Sequence, residues 1–203
     1  MAPSTSSLLY LASESPRRQE LLQQIGISHT VLRLPPVEGE DEPRRPNEPA
    51  LVYVQRTALE KAHRAQQWLA NAQCDKALPI LTADTTVALE DTILGKPRDA
   101  QHASSILQQL SGKTHTVYTA VVLARQNVIF TELSTSLVSF KDLSQAEILE
   151  YLDTGDCFGK AGAYGIQGFA ARFVRDLRGS YSGVMGLPLY ETAELLRAAK
   201  VIV

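Results

Sequence analysis

Two long β-forming runs, THTVYTAVVLA (114–124) and VIFTELSTSLVSF (128–140), are separated by only Arg125, Gln126 and Asn127. A connection that short leaves no room for a crossover, so the two runs must pair antiparallel. Any fold for this chain therefore contains a long hairpin that the remaining segments have to cover. LPILTADTTVAL (78–89) is a further apolar strand, and residues 8–12 form a short buried one. HTVLRL (29–34) predicts another strand, stopped by Pro35 and Pro36.

Helical patterns alternate with these strands. Leu21, Leu22 and Ile25 recur at helical spacing behind Ser15 and Pro16, a hydroxyl N-cap followed by proline at the first helical position, and Gly26 offers a stop. Residues 50–72 place Val54, Ala58, Leu59, Ala62 and Ala65 near one helical face. Asp99 can cap a helix that runs to Leu110 and ends at Gly112. Ser144 with Glu147 makes a capping box for QAEILEYLDT, closed by Gly155, and LYETAELLRAA ends the chain in a helix. This mixture, without an internal repeat, predicts an α/β (mixed α+β) fold in one unit over residues 8–203, after a short polar extension, residues 1–7.

A formal net charge of −2 gives no support to nucleic-acid binding by bulk electrostatics. An acidic small-molecule substrate would need a local basic cleft. Cys74 and Cys157 have no C-x-x-C spacing and no histidine at metal-ligand distance in sequence, which predicts two free thiols in a reducing compartment. No apolar run approaches the ~18 residues of a membrane span. The polar start, MAPSTSS, lacks the regions of a signal peptide, so a cytoplasmic location is expected.

Several residues invite a chemical reading. Arg17 and Arg18 fall in the first turn of a helix, where the macrodipole is already positive and acids are favoured. They are either solvated, or they converge with free N–H groups and serine hydroxyls on a bound anion. Asp84 interrupts an apolar strand, where an acid is expensive to bury unless paired, metal-bound or at a strand end. It reads as a strand-end cap, or as a metal ligand or general base. Gly95 and Pro97 hold Lys96 in a restricted backbone, and Lys61 lies on the long helix. The loop acids Glu38, Glu40, Asp41 and Glu42 are oxygen donors of the kind a hard cation such as Mg²⁺ takes. Seven of the twelve glycines crowd into residues 159–186, implying tight turns or close approach of a ligand to the main chain. The four histidines share no ligand spacing. Phosphate-loop, dinucleotide, nucleophile-elbow and zinc-protease signatures are absent. What remains suits a phosphorylated ligand and a divalent cation.

LASESPRRQELL, LEKA, TADTTV, ILGKPRD, LSGKTHTVYTAV, GKAGAYGIQG and GSYSGVMGLPL, in that order, resemble the Maf family of nucleotide pyrophosphatases over residues 8–198. The resemblance implies a mixed sheet with flanking helices in two lobes around a deep cleft, and often a homodimer. It implies metal-dependent hydrolysis of nucleoside triphosphates to monophosphate and pyrophosphate, with Mg²⁺ or Mn²⁺. SPRR at the first motif resembles the branch acting on dTTP and UTP. The branch acting on 7-methyl-GTP typically has tryptophan at the position of Arg17.

Matched residue by residue, the resemblance associates Arg17, Thr85 and Gln167 with base selection and Asp84 with the catalytic base and the metal. Ser13, Arg18, Lys61 and Lys96 match the phosphate site, and Glu38 matches a metal-site loop glutamate for which Glu40 and Glu42 are alternatives. The chain departs from the family pattern at Asp91, in place of a glycine-bearing hairpin, and at Gly159, where aspartate is common. Two other readings stay open: a house-cleaning pyrophosphatase for modified nucleotides, and a nucleotide-binding regulator of cell division that does not hydrolyse its ligand.

Overall fold

A computed structural model describes residues 7–36, 43–72 and 77–203. Its frame is a seven-stranded mixed sheet. The strands are β1 (Leu9–Leu11), β2 (His29–Val31), β3 (Ile80–Leu89), β4 (Thr92–Leu94), β5 (Thr114–Arg125), β6 (Val128–Phe140) and β7 (Val174–Arg178). Their order is β2-β1-β3-β5-β6-β7, with β4 folded back onto β3. The helices are α1 (Pro16–Gln24), α2 (Ala50–Asn71), α3 (Ala100–Leu110), α4 (Gln145–Asp153), α5 (Tyr181–Met185) and α6 (Leu189–Ala198).

The expected hairpin is the longest pairing, with register from Thr114↔Ser139 to Arg125↔Val128. Arg125 itself belongs to the ladder, so only Gln126 and Asn127 turn the chain, with Gln126 at φ +53°. β3 runs antiparallel to β5 and parallel to β1. The expected strand 29–34 shortens to three residues because β1 offers only three partners. One further bond, from Leu32 N to the Leu11 carbonyl, ends the pairing. β7 and α5 come from the glycine-rich segment, where no hydrophobic period announces them.

α2 lies across one face of the sheet. Its Val54, Ala58 and Ala62 pack with Ala120 and Val122, and Ala65 and Leu69 pack with Ile80 and Ala124. α1 and α6 cover the other face through Leu21, Leu22, Leu195 and Leu196 against Leu9, Leu11, Leu81, Val121 and Leu123. A separate cluster joins α3 and α4 to Val87, Val117, Val138, Phe140 and Phe173. Side chains alternate across a strand, so the sheet is committed to both layers at once. Asp99 accepts from His102 N at 2.7 Å, and the Ser144–Glu147 capping box is formed as its sequence signature requires.

The pairing leaves one gap. β1 meets β3 only at Tyr10↔Ile80 and Leu11↔Leu81, and β4 meets it only from Val87 onward. Between those contacts, residues 83–86 present an open strand edge. The chain leaves β1 beside that gap and enters α1. Open α/β sheets characteristically place ligands in such a crevice, outside the carboxyl ends of parallel strands.

Candidate active site

A cavity of about 790 Å³ opens at this gap, within the range of small-molecule sites. Ser13, Arg17, Arg18, Lys61, Asp84, Thr85, Lys96 and Gln167 all line it, although they come from distant parts of the chain. Glu38 lies outside the described residues, as does Cys74. Arg64 and Lys160 also line the cleft. Among the described residues, six cationic side chains face two acids, Glu14 and Asp84, a surplus of four positive charges in a chain whose net charge is −2. The basic cleft that the overall charge does not reveal is therefore present locally.

Asp84 points toward α2 and is satisfied there. Lys61 Nζ donates to Oδ1 at 2.7 Å, and Thr57 Oγ1 donates to Oδ2 at 2.8 Å. Thr86 Oγ1 lies 3.4 Å from the same Oδ2. Burial pushes the carboxyl's pKa up, but the Lys61 ammonium, the Arg18 guanidinium and the Thr57 hydroxyl outweigh it and hold the group below its ordinary value. Asp84 is therefore an ionised, 7%-exposed carboxylate at the floor of a cationic cleft. The sequence showed its cost of burial, but Thr57 lies 27 residues earlier and no local signal marked it as the partner.

Arg18 is anchored from three directions. Nε donates to the Gly186 carbonyl at 2.8 Å, Nη1 to Ser13 Oγ at 3.1 Å, and Nη2 lies 3.4 Å from Thr85 Oγ1. Gly186 supplies that carbonyl from a left-handed conformation, φ +116°, at the end of α5. Thr85 Oγ1 lies 3.0 Å from Thr119 Oγ1, which also reaches the Gly183 carbonyl at 2.8 Å. The fold thus fixes the direction of both groups before any ligand arrives. Arg17 and Lys96 hold no ion pair among the described residues, and Lys96 is exposed at the rim.

The start of α1 differs in one respect from its sequence signature. Ser15 occupies the N-cap position and Pro16 follows it, but the Ser15 side chain makes no capping hydrogen bond. Instead, Ser13 Oγ accepts from Ser15 N at 3.3 Å. A helix start without a side-chain cap, flanked by Arg17 and Arg18 and opening into the cleft, has the chemistry of an anion site.

Among the described residues no group of three or more His, Cys, Asp or Glu side chains could enclose a metal ion. Asp84 offers one hard carboxylate at the cleft floor. One or two carboxylates completed by substrate phosphate oxygens is the usual arrangement for Mg²⁺, so the site fits a cation that arrives with a phosphorylated ligand.

Behind the cleft wall, His115 Nε2 and the Tyr164 hydroxyl are 2.8 Å apart, and both rings pack edge-on with Phe140. Desolvation lowers the His115 pKa to about 4. Its role is in the core and not as a ligand, and Tyr164 presents the packed ring to the cavity.

No helix among the described residues is long and apolar enough to cross a membrane. The family model for Maf-like proteins matches residues 8–199. A dTTP/UTP pyrophosphatase of Bordetella avium (strain 197N) is 56% identical over 191 residues, covering 94% of each chain. The protein of that name from Bordetella pertussis is 54% identical over 195 residues, 96% of this chain and 94% of that one. The one from Aromatoleum aromaticum is 48% identical over 201 residues, 94% of each. With the family model spanning nearly the whole chain and relatives this similar over more than nine-tenths of it, the chain belongs to the Maf-like protein family.

Proposed function

We propose that this protein is a nucleoside triphosphate pyrophosphatase that favours dTTP and UTP, releasing pyrophosphate and leaving the nucleoside monophosphate. The observation that carries the reading is an ionised Asp84 on the floor of a cleft with a surplus of four positive charges among the described residues. Identity of 54–56% over nearly the whole chain to proteins named dTTP/UTP pyrophosphatase supports the choice of substrate.

In this reading the triphosphate lies along Ser13, Arg18, Lys61 and Lys96, with one phosphoryl group at the α1 start. Phosphoryl transfer needs little covalent help from the protein, so positioning and electrostatic stabilisation account for most of the rate. Arg18 is held in place by Gly186 and Ser13 and spends no reorganisation as charge develops. Asp84 orients a water molecule toward the α-phosphorus and takes its proton. A bound triphosphate brings negative charge beside Asp84 and competes for Lys61, and both effects raise the carboxyl's proton affinity toward that of a working base. Asp84, with Glu38 as the resemblance implies, would hold a divalent cation, Mg²⁺ or Mn²⁺. When bound, that cation supplies charge neutralisation at the phosphate oxygens.

Arg17, Thr85 and Gln167 face the base. A pyrimidine edge presents carbonyl and N–H groups that a hydroxyl and a carboxamide can pair, and a base that leaves those groups unpaired is rejected. Pyrophosphate release from UTP, dTTP, CTP and 7-methyl-GTP, measured with Mg²⁺, with Mn²⁺ and with chelator, tests the reading. Release from UTP and dTTP that the chelator abolishes supports it. Preference for 7-methyl-GTP overturns the base assignment, and tight binding without any release gives first place to a nucleotide-binding regulator.

A further inference from the structure

We propose that Asp156 and Lys160 form a positioning clamp that sets the direction of Gln167, and through it the choice of base; this rests on the base-reading role proposed above. Gln167 is exposed to the cleft and its side chain holds no hydrogen bond among the described residues, so nothing in its own contacts fixes it. Its backbone does. Gly168 N donates to the Gly165 carbonyl at 3.1 Å, closing a tight turn with Gln167 inside it.

That turn is contacted at both of its end glycines. Lys160 Nζ bonds Asp156 Oδ1 at 2.8 Å and also the Asp156 carbonyl, which stretches the lysine stem across Gly165. A Cβ at Gly165 would stand 3.0 Å from Lys160 Cε and 3.4 Å from Gln167 Oε1, so the lysine stem and the carboxamide share one small space. At the other end of the turn, a Cβ at Gly168 would stand 2.6 Å from Asp156 Oδ2. The carboxylate fills the room that only glycine leaves. The two glycines let one ion pair close on the turn, with the Lys160 side chain 12% exposed and the Asp156 side chain 33% exposed. An ion pair so held keeps its geometry better than an exposed one, where side-chain entropy competes. Asp156 does not line the cleft, so it reaches the substrate only through the residues it holds.

The test compares kcat and KM for UTP and CTP in the full-length protein, its Asp156→Ala and Asp156→Asn variants, and Gln167→Ala, each checked for a cooperative thermal melt. Asp156→Ala is expected to lower the UTP-to-CTP ratio of kcat/KM about tenfold, the worth of one well-placed hydrogen bond, mainly through KM. Asp156→Asn, which keeps an acceptor for Lys160, should recover most of the ratio. Combined with Gln167→Ala, Asp156→Ala should change the ratio no further, because both act at one point. Should Asp156→Ala not fold, Gly165→Ala carries the same expectation from the other end of the turn. A folded Asp156→Ala or Gly165→Ala with an unchanged ratio overturns the clamp, and so do losses that multiply in the double variant. A wild-type protein that releases no pyrophosphate from any triphosphate instead refutes the activity on which the clamp rests.

Discussion

Replacing Lys61 by methionine isolates what keeps a carboxylate in the floor of this cleft. The variant keeps the apolar four-atom stem of Lys61 but removes the ammonium 2.7 Å from Asp84 Oδ1. Breaking a fully buried pair by deleting one partner typically costs about 3–5 kcal/mol, because the remaining charge is left uncompensated. Here the side chains are 10% and 18% exposed, and Thr57 and Arg18 still face Asp84. The expected cost is therefore lower, about 2–3 kcal/mol. For a chain of this size that corresponds to a melting temperature lower by roughly 4–12 °C. Urea denaturation at pH 7.5 would read it as a lower midpoint with an unchanged slope. Adding Asp84→Asn to Lys61→Met removes the stranded charge and should return more than half of the loss. The pH response should also change: without Lys61 the folded-state pKa of Asp84 rises, so this carboxylate contributes less to the loss of stability on acidification in the variant than in the wild type. A cost below about 0.5 kcal/mol, or a double variant no more stable than Lys61→Met, would refute the claim that Lys61 is what makes the buried carboxylate tolerable.

Other consequences can be checked separately. His115 is neutral in the core, with its pKa lowered from 6.5 to about 4, so the unfolded chain binds its proton more readily between those values. This contribution is fully present above pH 6.5 and is lost as pH falls toward 4, a decline of about 3 kcal/mol that urea midpoints along that range would show. Asp84→Asn should fold, bind nucleotide and lose about 10²–10⁴ in kcat, measured by pyrophosphate release; near-normal turnover would remove Asp84 from the mechanism. Gly186→Ala forces a side chain into φ +116° at the carbonyl that anchors Arg18. It should lower stability by more than about 1 kcal/mol and raise KM for UTP, seen by denaturation and steady-state kinetics.

How much of this was legible in the sequence depended on whether the signal was local. The β5–β6 hairpin, α2, the Asp99 cap and the Ser144–Glu147 box are set by neighbours a few residues apart, and the fold forms them where the pattern places them. HTVLRL carries the same kind of signal, yet it pairs over only three residues because its length is limited by β1, a fact about another segment. β7 and α5 sit among glycines, whose backbone freedom carries no hydrophobic period. The resemblance to a family brought out the cleft residues that its motifs contain. It did not bring out Thr57, Arg64 or Asp156, whose places are decided by tertiary contact. Thr57 reaches Asp84 only because α2 crosses the face of β3. Asp156 matters only because two glycines further along the chain leave room for its carboxylate. The misplaced charge of Arg17 and Arg18, by contrast, was a true local signal: α1 begins without a side-chain cap and opens onto the cleft.

Attack of water on the α-phosphorus beside Asp84 is tested most directly by hydrolysing UTP in ¹⁸O-labelled water and weighing both products by mass spectrometry. Attack at the α-phosphorus places the label in UMP and leaves the pyrophosphate unlabelled, which is the result expected here. Label in the pyrophosphate, with unlabelled UMP, would mean attack at the β-phosphorus and would contradict the placement of the triphosphate in this cleft.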